Sequence, residues 1–195
     1  MSLLIKHTAA LLLTAVAGLA VVPAYSAPAK TTGELPAQKV SMLGGKFVFT
    51  LPKGFTATAL PAGDAAQGTA GATGTMYSNA TSRTVVITAE NTIVNGGKVK
   101  DDDAAFLDTT MAGFAAQRSK ALPDAKILSE KSLTRKGSGL GLRQLDTSAT
   151  QGGGPTLDTT LLGASGTRVA VVQIISRAND KNGHEALVKQ IANGK

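Results

Sequence analysis

The sequence of 195 residues has no cysteine and no tryptophan, and only two histidines, His7 and His184. Without cysteine there is no disulfide, no thiolate nucleophile, no thiolate-bound zinc and no iron–sulfur cluster. There is also no thiol to accept a lipid anchor. Two histidines so far apart offer no multi-histidine metal centre. Aromatic residues make up 4% of the chain, too few to stack successive bases. With no basic run beyond Arg135-Lys136, nucleic-acid binding is disfavoured. No apolar run reaches the roughly 20 residues that a membrane-spanning helix needs.

What the chain does have begins with an export-type start. Lys6 and His7 precede the apolar run Ala9–Val22, which is followed by the helix breaker Pro23 and by small residues. This three-part layout reads as a signal peptide over residues 1–26, cut after Ser26. Such a start without cysteines fits a periplasm better than a disulfide-stapled extracellular module. The expected location is periplasmic, without a lipid anchor. The chain carries 20 basic and 13 acidic residues, net +7. Loss of Lys6 with the leader lowers this to 19 against 13, or +6. These charges are scattered. They suit solubility, or a weak attraction to anionic envelope polymers.

Residues 27–42 are polar and contain Pro28 and Pro36, and they read as a flexible leader to a single domain over 43–195. Lys46–Leu51 alternates, with Phe47, Phe49 and Leu51 on one face, as a first strand. The stretch holding Phe55 and Leu60 reads as irregular, and 61–75 as a loop. Met76–Ser78 and Arg83–Glu90 form a predicted hairpin. Asp101–Leu122 is the one long helix, with a stripe at Phe106, Leu107, Thr110, Met111 and Phe114. Arg118 and Lys120 suit its last turns, and Pro123 ends it. Four strands follow, at Lys126–Leu133, Leu140–Ala149, Thr156–Ala164 and Arg168–Ser176. Gly/Ser turns join them, so antiparallel neighbours are expected. Arg168–Ser176 is nearly continuously apolar and reads as a central strand. A short helix over Gly183–Asn193 closes the chain. Strand runs with few helices predict an α+β fold, an antiparallel β-sheet flanked by α-helices.

The chemistry-bearing residues have modest explanations. Asp101-Asp102-Asp103 fits a helix N-terminus better than a calcium loop, since no glutamate completes one. Gly137-Ser138-Gly139 lies between strands and has no helix N-terminus behind it, so it is a hairpin turn rather than a phosphate cradle. His184 lies among Asp180, Asn182 and Glu185, as if at a solvated helix start. No Gly-x-Ser-x-Gly elbow accompanies it. No catalytic, cofactor-binding or metal-binding residue is assigned, and no cofactor is expected.

Several segments in order resemble the DcrB family of bacterial envelope proteins. These are Gly44–Pro52, Met76–Thr81 leading into Val85-Val86-Ile87, Leu142–Thr147, Leu161-Leu162-Gly163 and Gln173-Ile174. The resemblance implies a PsbP-like α/β/α sandwich and a periplasmic, envelope-associated role without catalysis. The missing lipobox cysteine departs from anchored members of that family.

The expected function is a non-enzymatic envelope binding or scaffold protein, docking a partner on a sheet face or in the groove beside the long helix. An envelope protein or an anionic polymer would be the partner. One alternative is a chaperone for apolar segments, which needs an exposed apolar groove. Another is a glycan hydrolase using Asp101–Asp103, Asp146 or Asp158. In that reading Asp146 and Asp158 approach each other from adjacent strands, although alternation favours an outward Asp158. Tyr77 is either an aromatic contact or a core residue.

Overall fold

The structure is a computed structural model that describes residues 35–63, 70–93 and 96–194. The predicted signal peptide, residues 1–26, lies outside the described residues. So does the leader as far as residue 34.

Among the described residues, nine strands and two α-helices follow in the order β1 (Gln38–Met42), β2 (Phe47–Leu51), β3 (Thr56–Ala59), β4 (Thr73–Asn79), β5 (Thr84–Thr92), α1 (Ala104–Ala121), β6 (Lys126–Thr134), β7 (Gly141–Gln151), β8 (Gly154–Ser165), β9 (Arg168–Arg177) and α2 (Lys181–Asn193). Seven strands form one antiparallel sheet ordered β3-β4-β5-β9-β8-β7-β6. The strand expected to be central, β9, is the fourth of these seven. Its neighbours bury it edge to edge and its apolar run buries it on both faces, as the pattern required.

The sheet is covered on both sides because its strands are apolar on both sides. On one face, Leu107, Met111 and Phe114 of α1 pack on Leu145, Leu162 and Val171. On the other, β1 and β2 pair as a small ribbon. Their Phe47, Phe49 and Leu51 join Leu187, Val188 and Ile191 of α2 over Leu142, Leu161 and Val172. Full burial of each such side chain contributes about 1.5–3 kcal/mol, so the two α2-side strands are as integral as the helix. The layering is α/β/α.

Three sequence expectations change. Gln38–Met42, assigned to the flexible leader, is strand β1, and it buries Val40 and Met42 against the core. The folded unit therefore reaches back past residue 43. Thr56–Ala59, read as irregular, pairs with β4 as an exposed edge strand. It carries no apolar alternation, and only its backbone pairing makes it a strand. The long helix starts at Ala104 rather than Asp101, because Asp103 is its N-cap and accepts from the Phe106 amide at 3.0 Å. Asp101 instead accepts from Lys46 Nζ at 2.6 Å and Ser165 Oγ at 2.7 Å. These bonds, Lys46 first, hold its carboxyl below the ordinary range.

Arg135 fixes the position of α2. It is buried, lies 4.7 Å over the Phe47 ring, and donates to Ile191 O at 2.9 Å, Ala192 O at 3.2 Å and Val48 O at 2.5 Å. A cation at the carbonyl end of a helix is favoured by the dipole, and the ring face adds a cation–π attraction. Gly194 ends the helix in the left-handed region, φ 73°, directly against this guanidinium.

Candidate functional site

A cleft of about 560 Å³ opens between α2 and strands β6, β7 and β8. It arises because β6 is an edge strand that extends past the cover of the helix. It is lined by the apolar side chains of Leu128, Leu133, Leu157 and Val188 and by Asp146, His184 and the lysines Lys131, Lys181 and Lys189. The groove thus lies on a sheet face beside the short C-terminal helix.

Antiparallel register builds the polar wall. Asp146 on β7 is directly opposite Thr159 on β8, so both point to the α2 side. The Asp146 carboxylate accepts from Thr159 Oγ1 at 2.7 Å, Ser129 Oγ at 2.5 Å, Gln144 Nε2 at 2.8 Å and Lys131 Nζ at 3.2 Å. Burial pushes this carboxyl upward, but the four hydrogen bonds outweigh it and hold it below the ordinary carboxylate range.

Thr159 Oγ1 is also 2.9 Å from His184 Nε2, and His184 Nδ1 is 3.1 Å from Ser176 Oγ. A carboxylate cannot donate, so the Thr159 proton goes to Asp146. His184 Nε2 must then carry a hydrogen to donate to Thr159. Burial holds the ring below its ordinary pKa, against the weaker pull of Asp146, Glu185 and Asp180. The neutral ring therefore accepts from Ser176 at Nδ1. His184, expected at a solvated helix start, is instead buried on the inner face of α2. Its neighbours in sequence are exposed, but its position one turn before Leu187 and Val188 turns it inward.

The order of groups differs from a nucleophile, base and orienting acid. Here the hydroxyl sits between the carboxylate and the imidazole, with its proton turned away from the ring, and Thr159 is buried. Asp146 and Asp158 do not form the pair considered for glycan hydrolysis. Asp158 is opposite Thr147 and points to the α1 side. There Arg118 Nη2 donates to it at 2.5 Å and Gln173 Nε2 at 2.7 Å. Asp158 is therefore buried rather than outward. Desolvation raises its pKa to about 6 despite the Arg118 charge. Arg118, expected as a last-turn cation, is buried with it.

Among the described residues, no three histidine or acidic side chains are placed to share a metal ion. No described helix is long and apolar enough to cross a membrane. Large exposed hydrophobic side chains among the described residues are Ile127 and Leu128, both 55% exposed and adjacent on β6. A bulge interrupts the β6–β7 register between Ile127 and Ser129, which pushes them outward. Together they form a short apolar lip. Tyr77 is part-buried on β4 against the α2-side core, the packing role rather than the contact role.

The solution structure of cyanobacterial PsbP (CyanoP) from Synechocystis sp. PCC 6803 matches this architecture with a TM-score of 0.56. The match covers 85% of this chain and 96% of that one at 11% identity. The fold is PsbP-like. A Pseudomonas aeruginosa protein, PA94, a putative regulator of unknown function by its description, superposes less well, with a TM-score of 0.43 at 15% identity. That match covers 79% of this chain and 92% of that one. No family model and no curated protein matches the sequence.

Proposed function

We propose that this is an exported, non-enzymatic binding protein of the bacterial cell envelope, akin to the DcrB proteins its strand motifs resemble, and that the cleft under α2 is its binding site. The observation that carries the reading is the coincidence of the cleft with the lip. Of the two large apolar side chains exposed among the described residues, Leu128 lines the cavity and Ile127 precedes it on the same strand, one of the three that wall the cleft. Exposed apolar surface costs solubility, and where it adjoins a concavity it marks a docking surface.

The wall beside it supports binding rather than turnover. His184, Thr159 and Asp146 use their hydrogen-bonding groups on one another and on Ser129, Gln144 and Ser176, which makes the wall rigid. The signal-peptide-like start and the surplus of positive charge suit an envelope whose lipids and polymers are anionic.

Photo-crosslinking in the living host tests this. A photoreactive residue at position 128 is expected to give a discrete adduct, whereas one at Ala57, on the opposite edge strand, gives none. Equal labelling at both positions, or none at 128, rules the reading out.

A further inference from the structure

We infer that the cleft takes a single-chain amphiphile with an anionic head group. This inference rests on the cleft being the binding site, and it adds the chemistry of the occupant. Leu128 and Leu133 of β6, Leu157 of β8 and Val188 of α2 give the cleft an apolar lining that can take an alkyl chain. A volume of about 560 Å³ lies within the roughly 300–1,000 Å³ of small-ligand sites, which suits one chain rather than the two of a phospholipid.

The sign of the head group follows from which charges are already used. Three lysines and three acidic residues, Asp146, Asp158 and Glu185, line the space, and Asp158 is taken up by Arg118 and Gln173. Both oxygens of Asp146 are occupied by donors from the protein. Glu185 lies 3.7 Å from Lys181. Lys189 forms no ion pair with any described residue and is exposed, directly after Val188 on the same helix. The unspent charge of the mouth is therefore positive. An anionic head can meet Lys189 with its chain laid toward Leu128. A cationic head would face Lys189 across the same opening with no free carboxylate to receive it. Arg118 and Asp158 do not enter this balance, because they neutralise each other on the other side of the sheet.

The probes are dodecanoate, dodecyltrimethylammonium and acetate, each titrated calorimetrically into the purified protein below any micelle concentration. Saturable binding of dodecanoate with 1:1 stoichiometry is expected, at least tenfold tighter than the cationic amphiphile, with no binding of acetate at the same concentration. Lys189→Glu and Leu128→Asp should each weaken dodecanoate at least tenfold while leaving the circular dichroism spectrum and urea midpoint unchanged. Lys98→Glu, far from the cleft in sequence and on another loop, should leave affinity as it is. Equal affinity for the two amphiphiles, acetate binding alone, or an unaltered Lys189→Glu protein overturns the inference. If dodecanoate fails while position 128 still crosslinks to a protein, the anionic amphiphile is wrong and the binding role of the cleft stands.

Discussion

Arg118 and Asp158 meet 2.5 Å apart between α1 and the sheet, with 7% and 1% of their side chains exposed. Each is the other's means of being buried, because an isolated charge in that layer has no water to solvate it. Removing one partner of a buried pair costs about 3–5 kcal/mol, whereas replacing both with apolar groups is often close to neutral. Arg118→Met and Asp158→Leu are each expected to lower the urea midpoint strongly, and the double variant to lose less than either single one. A double variant that loses the sum of the two would refute the coupling.

The same pair sets a pH dependence. Asp158 titrates near 6 in the folded protein, above the ordinary 3.8. Between these values the unfolded chain has released this proton while the folded chain retains it, so the contribution of this group falls as pH rises through that window and levels off above 6. In Arg118→Met the carboxylate loses its cation. The destabilisation should therefore be largest at pH 7 and smaller near pH 4.5, where the carboxyl is neutral. Unfolding curves at the two pH values check the ordering, and a deficit that does not change with pH speaks against it.

His184 slopes the other way. Its folded pKa lies below the ordinary 6.5. As pH falls under 6.5 the unfolded ring takes up a proton first, so its share of stability is complete above that value and is lost on acidification. A nuclear magnetic resonance titration of the ring should give a midpoint below 6.5 and show the Nε2–H tautomer at neutral pH. A midpoint at or above 6.5, or an Nδ1–H tautomer, contradicts the hydrogen-bond order drawn through Thr159.

Arg135 and Gly194 form one device at the end of α2. Arg135→Met takes the guanidinium from three carbonyl oxygens, of which Ile191 O keeps the Gly194 amide, and an unsatisfied buried acceptor costs about 1–3 kcal/mol. Gly194→Ala forces a side chain into a left-handed backbone, a penalty of about 1–2 kcal/mol. It also points a methyl group at Arg135, 2.8 Å from Val48 O. Both variants should lower the melting temperature and loosen amide exchange in α2 before the sheet. Wild-type exchange in α2 would show that the device is dispensable.

The sequence made the sheet legible and left the polar interior hidden, for physical reasons. β-Branched runs, alternation and Gly/Ser turns are local signals, and β5 to β9 declare themselves by them. Local signals say little where pairing alone makes a strand, so Thr56–Ala59 passed as irregular and Gln38–Met42 as leader. The inward turn of His184 was in principle readable, because it stands at helical spacing from Leu187, Val188 and Ile191, but its polar neighbours masked it. Arg118 likewise lies four residues after Phe114 and seven after Met111, on the apolar stripe of α1. That Asp146 and Asp158 part to opposite faces depends on the register of β7 against β8, which neither strand encodes alone. Ser129 and Thr159 gave no signal, since an ordinary hydroxyl becomes a ligand of Asp146 only through that register.

The cleft under α2 is the central claim, and hydrogen–deuterium exchange of the protein alone and mixed with envelope extract tests it most directly. Added protection is expected in Lys126–Thr134 and Lys181–Asn193, with α1 unchanged. Protection that falls on α1 or on the β3 edge, with β6 and α2 exchanging as in the free protein, would contradict it.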